Sequence, residues 1–157
     1  MTHSDTFCVM KTRLTLSALT AFAVASAALA HSGVKNPAVK ARMDVMSAIA
    51  GNMKTLGMMV KGATPYDVTT AQGAAQDLAR NSAQVIALFE AQESDPKSEA
   101  RPEIWTNWPD FRDKTDAMTQ AARSLAQITD EAAFKAAFSD LGRTCTACHE
   151  PYRIDKN

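Results

Sequence analysis

Residues 131–149 read EAAFKAAFSDLGRTCTACH, an apolar helical repeat that runs directly into two cysteines and a histidine. The apolar side chains recur at spacings of three and four, which is the period of one helix face. The residues on this face are Phe134, Ala137, Phe138 and Leu141. We therefore expect a helix that begins near Asp130 or Glu131 and carries the cysteines and the histidine in its last turns.

The string Cys145-Thr146-Ala147-Cys148-His149 has the spacing that attaches a c-type haem. In such a site two thiols add across the haem vinyl groups, and the adjacent imidazole ligates iron. Cys145 and Cys148 are therefore the predicted haem anchors and His149 is the predicted iron ligand. A helical bundle without a cofactor would explain the apolar periodicity but not this string.

Two other kinds of site use cysteines at this spacing. A redox-active dithiol requires a strand before it and a helix that opens at the first cysteine, whereas the segment before Cys145 has a helical pattern. A structural zinc site needs four ligands. The other cysteine is Cys8 and the other histidines are His3 and His31, all at or before the expected start of the mature chain.

The N-terminus predicts export. Two basic residues precede an apolar run over about residues 14–27, which ends in the small-x-small sequence ALA at 28–30. Residues 1–30 are therefore predicted to be a secretory signal peptide, cleaved near Ala30, and residues 31–157 to be one mature domain in the periplasm. Met10 is an alternative start, and Cys8 lies outside the fold in either case.

Composition excludes several functions. The chain has 17 basic and 17 acidic residues, so it shows neither the basic footprint of a nucleic-acid-binding protein nor a polybasic membrane patch. Because the two mature cysteines lie in the haem string, no disulfide is needed. We expect no membrane insertion after signal cleavage.

The pattern predicts four helices joined by mostly short loops, hence an all-α, antiparallel four-helix bundle. They begin near residues 37, 70, 109 and 130; the first ends at Lys61-Gly62 and the second near Ala91. Asn36 is the expected N-cap of the first helix. Its predicted apolar seam is Val39, Met43, Met46, Ala50, Met53, Gly57 and Val60. The predicted apolar seam of the third helix is Phe111, Thr115, Met118, Ala122 and Leu125.

Over about residues 36–155 the chain resembles the class II cytochromes c, the cytochrome c-prime and cytochrome c-556 family. The resemblance rests on the C-terminal haem string and on Arg42 in the first helix. It rests also on MVKG at 59–62 followed by PYD at 65–67, and on ARPEIW at 100–105. It implies a four-helix bundle that carries one covalently attached haem c near the C-terminal helix.

The resemblance also implies roles for individual residues. Cys145 and Cys148 would hold the haem, and His149 would be the proximal iron ligand. Arg42 and Arg153 match basic positions expected near the haem propionates, where a guanidinium can pair with a carboxylate. Arg42 would also fit a solvated helix face, and Arg153 would also fit a charge at the C-terminal end of a helix.

In this family the residue that the first helix presents to the iron decides the function. High-spin cytochromes c-prime place a non-ligating residue there, usually leucine, and bind nitric oxide or carbon monoxide. Low-spin cytochromes c-556 place a methionine there and carry electrons. Counting forward from Arg42 and back from Gly62 reaches Met46, although a methionine at helical spacing also serves as core filling.

The resemblance therefore implies a low-spin, His/Met-ligated electron carrier, closer to the cytochrome c-556 group and not an enzyme. The alternative is a five-coordinate cytochrome c-prime that binds nitric oxide or carbon monoxide. A structural bundle whose dithiol binds a metal is a third reading. The expected partners are a redox protein and, through the first two helices, a second copy of the chain.

Overall fold

The computed structural model describes residues 33–154, so the predicted signal peptide lies outside the described residues. Within this range the chain is helical. The helices are α1 Pro37–Val60, α2 Val68–Ser82, α3 Val85–Phe89, α4 Glu103–Thr106, α5 Trp108–Leu125 and α6 Glu131–Tyr152. None of them is both long enough and apolar enough to span a bilayer.

Helix α1 has the predicted bounds because both of its ends are fixed locally. The Asn36 side chain accepts hydrogen bonds from the amides of Ala38 (2.9 Å) and Val39 (3.1 Å), and a proline occupies the first turn. At the other end Gly62 adopts a φ of +69°, a left-handed conformation that favours glycine.

The predicted second helix is two helices, and the expectation of one helix to Ala91 was wrong. Helix α2 ends at Ser82, and the amide of Gln84 donates to the carbonyl of Asn81, three residues back, at 3.1 Å. Asn and Ser compete for backbone hydrogen bonds and favour helix ends. The buried Ser82 hydroxyl contacts both the Ala79 carbonyl (3.1 Å) and the Thr119 hydroxyl of α5 (2.9 Å).

Helices α5 and α6 confirm the predicted positions. Asp130 caps α6 by accepting from the amide of Ala133 at 2.8 Å, and a proline lies in the first turn of α5. The predicted seam of α5 is entirely buried, and so are Phe134 and Leu141 of α6. Ala137 and Phe138, which were also predicted to face inward, are only partly buried, so the spacing rule holds fully for α5 and in part for α6.

The predicted apolar seam of α1 coincides with the fully buried residues of this helix only at Val39. The buried residues of this helix are Val39, Arg42, Val45, Ile49, Leu56 and Met59. Met43, Met46, Met53, Gly57 and Val60 are only partly buried, and Ala50 is exposed. Helix α1 carries two adjacent apolar stripes, and periodicity does not tell which of them faces the core.

Aromatic contacts fix the direction of α6 relative to α1. Tyr66, just beyond the end of α1, contacts Phe134 near the start of α6, with ring centroids 5.0 Å apart. At the opposite end Arg42 lies over Phe89 at 4.9 Å, and a series of ring contacts continues from Phe89 to the end of α6. The contacts in this series are Phe89–Phe111 at 5.3 Å and Phe111–Tyr152 at 5.5 Å. The two helices are therefore antiparallel.

The bundle is closed on three sides and more open on the fourth. The neighbouring pairs α1 with α2, α2 with α5, and α5 with α6 pack extensively, whereas α1 and α6 make few contacts with each other. The side between the first and last helices is therefore where the bundle has room for another group.

Replacement of Leu56 by alanine should destabilise the fold. This side chain is fully buried, at 0% exposure, and its truncation removes apolar contacts and leaves a cavity, so we expect a loss of about 2–5 kcal/mol in the free energy of unfolding. Denaturant titration of the purified protein measures the loss. Met58→Ala is the control, because Met58 is 38% exposed; an equal loss in both variants would contradict the assigned core.

Candidate haem site

The last turns of α6 carry the two cysteines and the histidine of the predicted haem string. Cys145 and Cys148 are both free thiols and half-buried, and both pack against the hydrophobic core. The Cys145 thiol lies 3.6 Å from the carbonyl of Leu141. His149 is exposed, and its carbonyl accepts the amide of Arg153 at 3.0 Å. The helix thus brings the three predicted residues together at one end of the bundle.

The surroundings of the thiols differ from those of a redox-active dithiol. Burial raises the pKa of Cys145, and it raises the pKa of Cys148 to about 11 against the opposing positive charge of Lys114. Reactive Cys-x-x-Cys pairs instead lie in electropositive sites that lower a thiol pKa. Among residues 33–154 no group of three or more His, Cys, Asp or Glu side chains is placed to hold a metal ion. The thiols lie in an apolar setting that suits neutral thioethers.

A partly covered apolar surface lies between α1 and α6, and we call it the cradle. Its residues pack against the core but are not fully buried by it; they are Met46, Met53 and Val60 of α1 with Phe138 and Cys145 of α6. Such a surface is what a flat, largely apolar group would cover. The residues present therefore fit a haem.

The level of each cradle residue follows from one close contact. A Cβ at Gly57 would lie 3.4 Å from Cζ of Phe138, so these two residues face each other across the antiparallel pair. Met46 lies eleven residues before Gly57, and His149 lies eleven residues after Phe138. Eleven residues make close to three helical turns, or about 16 Å. Helical geometry thus sets Met46 and His149 within about one turn of the same level.

Arg42 is buried, at 3% exposure, and its guanidinium is directed at backbone carbonyls. It donates to the carbonyls of Leu88 (2.9 Å), Glu93 (2.9 Å) and Ala91. The guanidinium also lies 5.3 Å from the ring centroid of Trp105. Burial is the main cause that lowers the pKa of Arg42. Sequence reasoning missed this role, although an arginine within an apolar helix face is itself a signal of specific partners.

Arg153 lies four residues after His149, the last residue of the haem string, and is exposed. Its Nε donates to a carboxylate oxygen of Glu99 at 2.9 Å, and its backbone forms an antiparallel bridge with Ala100. The structure thus gives both arginines protein partners, and their pairing with haem propionates stays a prediction.

A second feature that the sequence did not predict is the hydrogen bond from Tyr152 to Asp110. The Tyr152 hydroxyl lies 2.5 Å from Oδ2 of Asp110, and Lys114 lies 3.2 Å from Oδ1 of the same carboxylate. The hydrogen bond from Tyr152 is the main cause that lowers the pKa of Asp110. Burial and the Asp110 charge raise the pKa of Tyr152 to about 12.

A surface cavity of about 470 Å³ lies beside this pair, between α4, α5 and the last turn of α6. Its lining is mostly polar or charged and includes Glu103, Asp110, Lys114 and Glu150. Polar walls of this kind do not suit an apolar macrocycle. We therefore assign the apolar group to the cradle and not to this cavity.

Comparison with known proteins gives consistent matches over the described bundle. The family described as Cytochrome C′ matches residues 37–153. Cytochrome c-556 of Agrobacterium tumefaciens (strain II Chrys) is 34% identical over 120 residues, which cover 75% of this chain and 98% of that protein.

Two solved structures have the same fold. Cytochrome c prime from Shewanella frigidimarina has a TM-score of 0.70 and 30% identity, and the match covers 75% of this chain and 94% of that one. A nitric oxide complex of a variant of cytochrome c prime from Alcaligenes xylosoxidans has a TM-score of 0.69 and 32% identity, with coverage of 76% and 94%.

Replacement of Arg42 by lysine should destabilise the bundle although the charge is kept. An ammonium group cannot bond three separate carbonyls in the geometry of the guanidinium fork, so buried carbonyls lose a partner at about 1–3 kcal/mol. Denaturant titration gives the change in the free energy of unfolding. Arg123→Lys on the exposed side of α5 is the control, and similar values for the two variants would contradict the carbonyl contacts.

Tyr152 should make the fold sensitive to alkali. Its pKa is raised from the ordinary value of 10.0 to about 12, so its contribution to stability is complete below pH 10 and is lost as the pH rises towards about 12. The free energy of unfolding of the wild type and of Tyr152→Phe, compared over this range, isolates that loss. If the free energy of unfolding falls equally steeply with pH in both proteins, Tyr152 does not cause the loss of stability.

Proposed function

The chain belongs to the cytochrome c′ family of class II c-type cytochromes, and we propose that it is a periplasmic, low-spin electron carrier with His149 and Met46 as axial ligands. The resemblance seen in the sequence is confirmed, and so is the four-helix bundle. Proteins of this family carry covalently attached haem c, so haem c with its iron is the cofactor. Cys145 and Cys148 are the proposed anchors.

The observation that carries this proposal is the level of Met46 relative to His149. Counting helical rise from the Gly57–Phe138 contact brings Met46 to the level of His149 within about one turn, whereas it brings Met53 close to the level of Gly142. Met46 is therefore better placed than Met53 to reach an iron held by His149, and the count from Arg42 and Gly62 favours Met46 over Met43.

Ligation by Met46 would favour electron transfer over gas binding. A thioether is a soft ligand that stabilises ferrous iron and raises the reduction potential, and it fills the coordination site that a small ligand would need. A low-spin iron with both axial sites filled changes little in geometry when it gains or loses an electron. The similarity to proteins named cytochrome c-556 supports this assignment.

A second candidate function is gas binding by a five-coordinate iron. It is favoured by the similarity to a cytochrome c prime that was solved as a nitric oxide complex. Met46 is half-buried, and an unbranched methionine side chain adapts readily to other packing. In this alternative Met46 packs in the cradle without ligating iron.

The proposal also assigns roles to the two arginines, to a redox partner and to a second copy of the chain. Arg42 and Arg153 pair with the haem propionates, which requires each to share or exchange its present protein partners. The protein has no substrate of its own and passes electrons to a redox partner protein. It forms a homodimer through α1 and α2, which sedimentation analysis of the holoprotein would detect.

Replacement of Met46 by leucine should keep the covalent haem but open the sixth coordination site. We expect the variant to become high-spin and to bind carbon monoxide, because leucine has no ligating atom, while the wild type does neither. Visible and near-infrared spectra of the oxidised and reduced holoproteins, with and without carbon monoxide, measure both changes.

Met53→Leu and Met43→Leu are the matched controls, since both residues lie on the same side of α1. Each should stay low-spin and inert to carbon monoxide. A low-spin Met46→Leu protein would exclude Met46 as the ligand, and a wild type that already binds carbon monoxide would favour the gas-binding function.

A further inference from the structure

The last turn of α6 lacks one of its internal hydrogen bonds. Pro151 lies inside the helix and has no amide hydrogen, so the carbonyl of Ala147, four residues earlier, has no helical donor. Ala147 is part of the haem string, between Cys145 and Cys148. The turn that presents His149 is therefore weaker than an ordinary helical turn and depends on contacts from outside the helix.

Tyr152, the residue directly after the proline, supplies those contacts. Its ring is buried, at 4% exposure, and meets Phe111 of α5 edge-to-face at 5.5 Å and 85°. Its carbonyl accepts the amide of Arg101 at 3.0 Å. Its hydroxyl is 2.5 Å from Asp110, a residue in the first turn of α5, and Asp110 is itself held by Lys114.

We propose that Tyr152, held by Asp110, is a positioning residue that fixes the direction in which His149 faces the haem iron. His149 and Tyr152 are three residues apart and hence neighbours on one side of the helix. Rotation or fraying of the last turn would move both together. The hydroxyl bond to α5 restrains this movement, and the missing amide of Pro151 makes the restraint necessary. The inference rests on the proposed function only in taking His149 as the iron ligand.

The hydroxyl group can be tested apart from the aromatic ring. Tyr152→Phe keeps the contact with Phe111 and removes only the bond to Asp110. Asp110→Ala removes the same bond from the other side, whereas Asp110→Asn keeps an oxygen that can accept it. Tyr66→Phe is the matched control, because the buried hydroxyl of Tyr66 has no hydrogen-bond partner among residues 33–154 and lies at the opposite end of the bundle.

The measurement is the iron–histidine stretching band in the resonance Raman spectrum of the ferrous holoprotein. All variants are made in the Met46→Leu protein, in which we expect a five-coordinate iron. We expect the band to shift and broaden in Tyr152→Phe and in Asp110→Ala, to shift less in Asp110→Asn, and to stay unchanged in Tyr66→Phe. A purely structural role would lower stability without moving this band.

An unchanged band in both Tyr152→Phe and Asp110→Ala would overturn the inference, and so would an equal shift in Tyr66→Phe. If Tyr152→Phe fails to fold, the two Asp110 variants decide the question. A wild type that is already five-coordinate would contradict the proposed Met46 ligation, but the band could then be measured in the wild-type background, so the two failures are distinguishable.

Discussion

The close approach of α1 to α6 at Gly57 and Phe138 is the contact on which the geometry of the site depends. A Cβ at position 57 would lie 3.4 Å from Cζ of Phe138, an ordinary van der Waals distance, so the end of the Phe138 ring packs directly against α1 at Gly57. Because both helices are regular over the next three turns, this contact relates the levels of the residues at the far end of the cradle to within about one turn. The level of Met46 relative to His149 follows from it.

The two apolar stripes of α1 have different roles. Ile49, Leu56 and Met59 are buried in the core and supply the apolar burial that holds the bundle together. Met46 and Met53 lie on the neighbouring stripe and are only partly covered. A bundle that had closed this fourth side with its own side chains would leave no room for a cofactor, so the incomplete burial of the cradle is part of the site.

Two buried or partly buried polar groups organise the end of the bundle near His149. Arg42 ties α3 and the segment after it to α1 through three carbonyls, which offset the cost of burying its charge. Tyr152 ties the end of α6 to α5 through Asp110. Both interactions join segments that are distant in sequence, and both lie next to residues with proposed roles at the haem. The less regular end of the molecule is thus held by specific polar contacts, whereas the long helices are held mainly by apolar packing.

The sequence alone determined the helical class, the bounds of α1, the start of α6 and the grouping of Cys145, Cys148 and His149. These features depend on residues close together in the chain, such as the caps Asn36 and Asp130 and the spacing of the haem string, so local geometry is sufficient to predict them. Tertiary structure decided which stripe of α1 faces the core, where α2 ends at Ser82, and what Arg42 and Tyr152 bind. Those outcomes depend on the atoms that another helix or loop brings opposite each residue, and no local pattern contains that information.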